Sequence, residues 1–192
     1  MNAARPYVII VAGIPASGKT TYAKYIAEKL QVPLIGKDAI KEKIYDVIHY
    51  DTAQRENSQL YGAASYAVFF HIAECLMKAG VSFVLESNFT PASVDVLLPL
   101  VEKYIYLPLT VMLDADMKTL HKRFCERDVT DERHPGLAAK SNVFDDFNYF
   151  SNATSPLRDF CVGDKIVVDT TDFSTVNYDE IDSFVINFIE QE

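Results

Sequence analysis

One short stretch, GIPASGKT at residues 13–20, constrains the fold of this chain more than any other feature. It fits the pattern G-x-x-x-x-G-K-[ST], follows the apolar run YVIIVA, and precedes TYAKYIAEKL, whose apolar residues recur at helical spacing. A short unbroken apolar run is typical of a buried parallel strand. The order of strand, glycine-rich loop and helix therefore predicts a phosphate-binding loop, whose N–H groups point inward at the N-terminus of the helix.

Each residue type in this loop has a physical task. Gly13 and Gly18 let the backbone turn tightly and approach phosphate oxygens without an intervening side chain. Lys19 is expected to reach the β- and γ-phosphates of a nucleotide, and the Thr20 hydroxyl is expected to ligate Mg²⁺. The other loop positions expected to contact the nucleotide are Ala16, Ser17 and Thr21.

Apolar runs and helical patterns alternate to the end of the chain. Further strands are predicted at residues 32–36, 81–89, 109–116 and 165–172. Helices are predicted at 38–48, 58–80, 91–104, 117–128, 142–153 and 178–189, whereas 51–57 is polar and predicted to be a loop. This alternation predicts parallel βαβ units, and therefore one α/β domain with helices on both faces of a parallel sheet.

Charge narrows the class of ligand. A formal net charge of −9 argues against a broad nucleic-acid surface. A third of the 18 basic side chains nevertheless fall within 23 residues, which indicates a small anionic ligand held at one place: Lys118, Lys122, Arg123, Arg127, Arg133 and Lys140.

Cysteine usage and hydropathy favour a cytoplasmic protein. The three cysteines are far apart and form no C-x-x-C pair, as expected of reduced thiols. No apolar run approaches the length of a membrane span, and the first ten residues lack a secretory cleavage pattern.

Polar side chains near the ends of the predicted strands are candidate site residues, because ligands of open α/β sheets bind at the carboxyl ends of the strands. Asp38 is either a carboxylate that accepts the proton of an acceptor hydroxyl or a plain helix N-cap. Lys41, one turn later, either holds an anionic group of the acceptor or is a solvated lysine. Glu86 and Asn88 end the third strand and are candidate substrate contacts, and Glu86 is also expected to orient Mg²⁺ or its waters. The alternative is that the two form a hydrogen-bonded polar pair at the strand end.

Three arginines complete the candidate site. Arg123 and Arg127 are four residues apart and share a helix face, and Arg133 follows in the irregular segment ERHPG. Arginine can spread charge over a transferring phosphoryl group and can stack on a purine base. The alternative is a solvated helix face. Asp114 and Asp116 are instead expected to end a strand and to cap the next helix.

Taken in order, GIPASGKT, GKDAIKEKIY, VLESNF, RFCERD…RHPG and VVDTTD resemble the motifs of small P-loop kinases. The resemblance is to predicted kinases related to zeta toxin, chloramphenicol phosphotransferase and the kinase half of polynucleotide kinase, and it runs nearly the full length. It implies a three-layer P-loop NTPase fold with a five-stranded parallel sheet and a mobile lid at about residues 128–141.

The resemblance also implies roles for particular residues. Asp38 would be the general base, and the lid arginines would be Arg123, Arg127 and Arg133. The loop after the last strand would lie near the adenine, which makes Asp169 and Thr170 candidate nucleotide contacts. Polynucleotide kinases have arginine three positions after the base, where this chain has Lys41, and this difference weakens bidentate phosphate recognition.

Three functions agree with these residues. The first is an ATP- and Mg²⁺-dependent kinase that phosphorylates a hydroxyl of a small molecule. The second is the same chemistry on a nucleotide-sugar or a polynucleotide 5′-hydroxyl. The third, from another class, is a P-loop ATPase module or switch without an acceptor, although the base-reading N-K-x-D motif of GTPases is absent from the sequence.

Overall fold

The computed structural model describes residues 5–48, 55–128, 130, 133–138 and 141–190. Within these residues, one sheet has the strand order β2-β3-β1-β4-β5, and every pairing is parallel. Its strands are β1 (Tyr7–Gly13), β2 (Leu34–Gly36), β3 (Phe83–Glu86), β4 (Leu107–Asp114) and β5 (Asp164–Asp169). The predicted α/β fold of the P-loop NTPase type, with a five-stranded parallel sheet, is confirmed.

Helices lie on both faces of this sheet. They are α1 (Lys19–Leu30), α2 (Lys37–Val47), α3 (Arg55–Lys78), α4 (Val94–Tyr104), α5 (Met117–Asp128), α6 (Pro135–Ala138), α7 (Ser141–Phe144), α8 (Phe147–Thr154) and α9 (Tyr178–Glu190). Short 3-10 turns lie at Pro91–Ser93, Ser155–Asp159 and Phe173–Thr175.

The central strand β1 divides the core into two layers, because successive side chains of a strand point to opposite faces. Ile10 is fully buried in the layer formed with α3 and α4, and Ile9 is fully buried in the layer formed with α1 and α9. Complete burial of such a side chain contributes about 1.5–3 kcal/mol. This two-sided burial holds the end of β1, and the loop that follows it, at the middle of the sheet.

Two predicted boundaries near the site are wrong. Asp38 is the second residue of α2, and the N-cap position belongs to Gly36, because β2 runs into α2 without a connecting loop. Residues 55–57, predicted as loop, belong to α3, while 51–54 lie outside the described residues. Arg and Glu at 55–56 are good helix formers, so a helix packed further along can extend through them.

The segment after β4 agrees with the sequence at first and then departs from it. Asp114 ends β4, and Asp116 Oδ1 accepts the N–H groups of Lys118 and Thr119 at the start of α5, as expected. The single helix predicted at 142–153 is instead the pair α7 and α8, because the Asp146 side chain caps a new helix.

Part of the predicted lid lies outside the described residues. Within 128–141, the described part contains the single helical turn α6, in a stretch where the sequence showed no periodicity. Residues 129, 131–132 and 139–140 are not described, so the role proposed for Lys140 lies outside the structure. The mobility of the lid stays a prediction.

One helix corrects the expectation about membrane spans. Residues Gln59–Lys78 of α3 are long and apolar enough, by length and composition, to cross a bilayer. Phe69, Ala73 and Met77 on this helix are buried in the core layer shared with the sheet and α4. A single helix of this kind is a weak indication of a membrane span, because a core helix of a soluble domain passes the same test.

Candidate active site

The loop between β1 and α1 has a backbone that requires glycine at two positions. Gly13 has φ +155° and Gly18 has φ +88°. A Cβ on Gly13 would lie 2.4 Å from the Leu113 carbonyl oxygen, and one on Gly18 would lie 2.7 Å from the Phe173 ring. Gly18 is also the N-cap of α1, so the loop leads directly into a helix N-terminus, where anions are stabilised.

Three predicted residues form a polar cluster at the start of α1. Thr20 Oγ1 donates to Glu86 Oε1 at 3.2 Å, across the end of β3. Lys19 and Glu86 are both buried. Burial raises the pKa of Glu86 and the Lys19 ammonium opposes this shift, while burial lowers the pKa of Lys19 and the carboxylates of Glu86 and Asp38 oppose it. The charged forms of Lys19 and Glu86 are therefore disfavoured by burial, and a bound ligand of suitable charge can stabilise them.

The oxygen donors of this cluster fit a magnesium ion that is bound together with a nucleotide. A hydroxyl and a carboxylate side by side are hard oxygen donors of the kind that Mg²⁺ prefers. Among the described residues, no group of three or more His, Cys, Asp or Glu side chains could hold a metal ion alone. A cation here would therefore depend on phosphate oxygens for the rest of its coordination.

Asp169 and Thr170, which were predicted to contact the nucleotide, make hydrogen bonds within the protein. Thr170 is fully buried, with Oγ1 3.0 Å from the Ser17 carbonyl oxygen and 2.9 Å from that of Asp114. Asp169 Oδ1 accepts the N–H of Thr171, which lowers the pKa of the Asp169 carboxyl. Within the described structure, neither lines the cavities beside Lys19. Thr170 therefore ties the phosphate-binding loop to the ends of β4 and β5.

A basic residue that the sequence analysis missed lies next to the candidate base. Lys37 Nζ donates to Asp38 Oδ1 at 2.7 Å, and Lys37 is buried while the Asp38 side chain is 41% exposed. Lys41, predicted to hold the acceptor, is fully buried with its ammonium 5.4 Å from the Tyr45 ring centroid. Lys37 lines the inner of the cavities described below, whereas Lys41 lines none of the three near the phosphate-binding loop.

The three arginines occupy different positions. Arg123 donates to the carbonyl oxygens of Thr170 (2.8 Å) and Thr171 (2.9 Å), and its guanidinium carbon lies 4.0 Å from the Phe173 ring centroid. The guanidinium carbons of Arg127 and Arg133 lie 5.7 and 6.0 Å from the centroid of the Phe124 ring.

The aromatic partners of the arginines were not predicted. The sequence indicates these contacts only by placing Phe124 directly after Arg123 in the chain and Phe173 directly after VVDTTD.

Two cavities meet at the loop. The outer cavity, of about 460 Å³, is lined by Ala16, Gly18, Lys19, Thr20, Thr21, Arg123, Arg127 and Phe173. The inner cavity, of about 120 Å³, is lined by Pro15, Lys19, Thr20, Lys37, Asp38, Asn88, Phe124, Arg127, Arg133, Leu137 and Phe144. A third, of about 250 Å³, continues from the inner one past Glu86 and Asp38 toward Lys24 and Glu42. Lys19, Thr20 and Arg127 line both the outer and the inner cavity.

A parallel sheet with a glycine-rich loop between its central strand and a helix defines a P-loop nucleotide-binding domain. Residues 8–148 match the family described as an AAA domain, and the chain belongs to this P-loop kinase-like family. The resemblance to small P-loop kinases that the motifs indicated is therefore confirmed. No curated protein matches the sequence.

Solved structures with the same fold include relatives of the expected kinds. A candidate kinase from Chloroflexus aurantiacus is 27% identical, with a TM-score of 0.82 and 99% of each chain covered. The PezAT toxin–antitoxin system of Streptococcus pneumoniae is 13% identical, with a TM-score of 0.56, covering 93% of this chain and 73% of that one. The Pnkp1/Rnl/Hen1 RNA repair complex is 18% identical, with a TM-score of 0.54, covering 79% and 47%. At these identities, the last two show the fold alone.

Proposed function

We propose that this protein is a cytoplasmic phosphotransferase that moves the γ-phosphate of Mg·ATP to a hydroxyl group of a small molecule. The observation that carries the proposal is the meeting of the outer and inner cavities at Lys19, Thr20 and Arg127. A donor in the outer cavity and an acceptor in the inner one would approach each other at these side chains. The similarity to a candidate kinase over 99% of both chains supports this assignment.

The residues of the outer cavity suit the donor nucleotide. The N–H groups of the loop and the Lys19 ammonium would bind the phosphates, and the exposed face of Phe173 offers a surface for the base. The Ser17 hydroxyl is buried without a hydrogen-bond partner among the described residues, as expected of a group that awaits a ligand. Thr20 and Glu86 would hold Mg²⁺, which would supply positive charge to neutralise the phosphates when it is bound.

The residues of the inner cavity suit an acceptor hydroxyl. Asp38 would accept the hydroxyl proton while the acceptor oxygen forms its bond to the γ-phosphorus and the bond from that phosphorus to the bridging oxygen of ADP breaks. Lys37 holds the Asp38 carboxylate in place through its 2.7 Å hydrogen bond. Arg127 and Arg133 would stabilise negative charge on the transferring group. The inner cavity of about 120 Å³ and the third cavity of about 250 Å³ match a small acceptor.

The test is transfer of terminal phosphate from labelled Mg·ATP to a panel of nucleosides, sugars, nucleotide-sugars, antibiotics and short oligonucleotides. Lys19→Ala and Asp38→Asn are compared with Lys78→Ala, which removes an exposed lysine at the end of α3, and with Asp95→Asn. Asp95 is a close match for Asp38, since each is the second residue of its helix.

We expect loss of labelled product with Lys19→Ala and a fall of about 10²- to 10⁴-fold in kcat with Asp38→Asn, while both controls keep full activity. Label that appears only as free phosphate, with Asp38→Asn as active as the parent protein, would favour an ATPase module without an acceptor. Strong inhibition by salt, with oligonucleotides as the best acceptors, would favour a polynucleotide kinase.

A further inference from the structure

A side-chain oxygen of a residue that lines the inner cavity has no hydrogen-bond partner among the described residues. This oxygen is Oδ1 of Asn88, and it is buried. The residue is held in position from another side, because the Tyr66 hydroxyl donates to the Asn88 backbone oxygen at 2.9 Å. Buried acceptors are rarely left unpaired in folded proteins, so this oxygen is placed to receive a donor from a ligand.

This oxygen and the candidate base belong to the same small cavity. Gly36 of β2 pairs with Glu86 of β3, and Asp38 and Asn88 each follow two residues later along the chain. Both residues line the inner cavity, whose volume is about 120 Å³. A carboxylate and an amide oxygen that line one cavity of this size can each accept a hydrogen bond from one of two hydroxyls on adjacent carbon atoms.

We propose that the acceptor is a vicinal diol, as in a sugar ring or a ribose, and that Asn88 determines this specificity. The inference rests on the phosphotransferase function proposed above. One hydroxyl donates to Asp38, loses its proton to that carboxylate and is phosphorylated. The adjacent hydroxyl donates to Asn88 Oδ1, keeps its proton and orients the sugar ring.

An acceptor that lacks the second hydroxyl would leave Asn88 Oδ1 buried and unpaired. Sites built to pair with a substrate hydroxyl strongly reject the analogue that lacks it, because the polar group of the protein has then lost water without gaining a partner. The size of the inner cavity, about 120 Å³, leaves little room for water to remain beside a bound ring.

The test compares matched acceptors that differ by one hydroxyl, such as ribonucleosides with their 2′- and 3′-deoxy forms and hexoses with their monodeoxy forms. The proteins are the parent chain, Asn88→Leu, Asn88→Asp and Asn152→Leu, the last removing an exposed amide on α8. Asn88→Leu keeps the approximate shape without the acceptor oxygen, and Asn88→Asp keeps an acceptor oxygen. The quantities measured are kcat/KM for each acceptor and Kd for ATP.

We expect the parent protein and Asn152→Leu to prefer the diol by about 10- to 100-fold in kcat/KM. Asn88→Leu should lose this preference through a fall in the rate with the diol alone, with the Kd for ATP unchanged, whereas Asn88→Asp should retain the preference. Equal use of diol and deoxy acceptors by the parent protein, or an equal fall for both in Asn88→Leu, would overturn this inference and leave the phosphotransferase in place. The absence of labelled product with every acceptor would overturn both proposals.

Discussion

Two glycine substitutions compare a crowded position of the phosphate-binding loop with a glycine in open space. Gly13 and Gly80 both have positive φ, at +155° and +68°. A Cβ on Gly13 would lie 2.4 Å from the Leu113 carbonyl oxygen and 2.6 Å from Ser17 Oγ, whereas a Cβ on Gly80 would meet nothing within 4 Å. Gly80→Ala therefore changes only the preference of a left-handed backbone, whereas Gly13→Ala adds a collision and a φ outside the left-handed α region.

The expected changes in the free energy of unfolding follow from these backbone angles and contacts. A left-handed conformation costs an alanine about 1–2 kcal/mol, and the smaller entropy of the unfolded chain offsets about 0.4–1 kcal/mol. We therefore expect Gly80→Ala to lower the free energy of unfolding by roughly 0.5–1 kcal/mol. Gly13→Ala should cost about 1–3 kcal/mol more from overpacking, since Gly13 and Leu113 are paired in the sheet and neither backbone can move alone.

Urea unfolding of both variants at 25 °C measures this difference. With an m-value of about 2 kcal/mol per molar, an extra 2 kcal/mol moves the midpoint about 1 M below that of Gly80→Ala. ATP binding should weaken in Gly13→Ala only, because the collision displaces Ser17 within the loop. Midpoints within about 0.3 M of each other would refute the argument, since the packing term would then be absent.

Two further substitutions test the charges and contacts around the nucleotide. Burial raises the pKa of Glu86 above 4.5, so the native state loses stability as pH rises from the unfolded value through the folded one. Glu86→Gln should therefore raise the urea midpoint of the ligand-free protein at pH 8, match the parent at pH 4, and lose Mg²⁺-dependent activity. A lower midpoint at pH 8 would contradict this sign. Phe173→Ala removes the ring stacked on Arg123, and we expect the Kd for ATP to rise about 5- to 10-fold by titration, unlike Phe184→Ala on the exposed face of α9. An unchanged Kd would place the base elsewhere.

The roles of the basic residues depend on how their helices pack. The sequence placed Lys41 one turn after Asp38 and therefore near the acceptor. In the structure α2 begins directly at the end of β2, which turns Lys37 toward the cavity and buries Lys41 beside Tyr45. The spacing of residues along a helix predicts which ones share a face, but it does not predict which neighbouring element that face meets.

The same limit applies after β5. The resemblance to small P-loop kinases implied that Asp169 and Thr170 contact the nucleotide. The Thr170 hydroxyl instead lies within hydrogen-bond distance of carbonyl oxygens of the loop and of β4. Phe173, three residues further on, is the side chain that reaches the outer cavity. Residues only three positions apart in this loop therefore differ in role: Thr170 supports the phosphate-binding loop, and Phe173 lines the cavity. The local sequence does not show which residue has which role.

The sequence by itself determined the phosphate-binding loop, the alternation of strands and helices, and therefore the fold class. Steric limits on backbone angles and the periodicity of apolar residues act over a few neighbours, so a short window of sequence carries them. Only the tertiary structure decided that Lys37 pairs with Asp38 at the cavity, that Thr170 supports the loop, and that Asn88 presents a buried oxygen in the same cavity as Asp38. Lys37 and Asp38 are neighbours in the chain, but they reach the cavity because β2 runs directly into α2. The other two arrangements join segments far apart in the chain, and they depend on how the whole core packs.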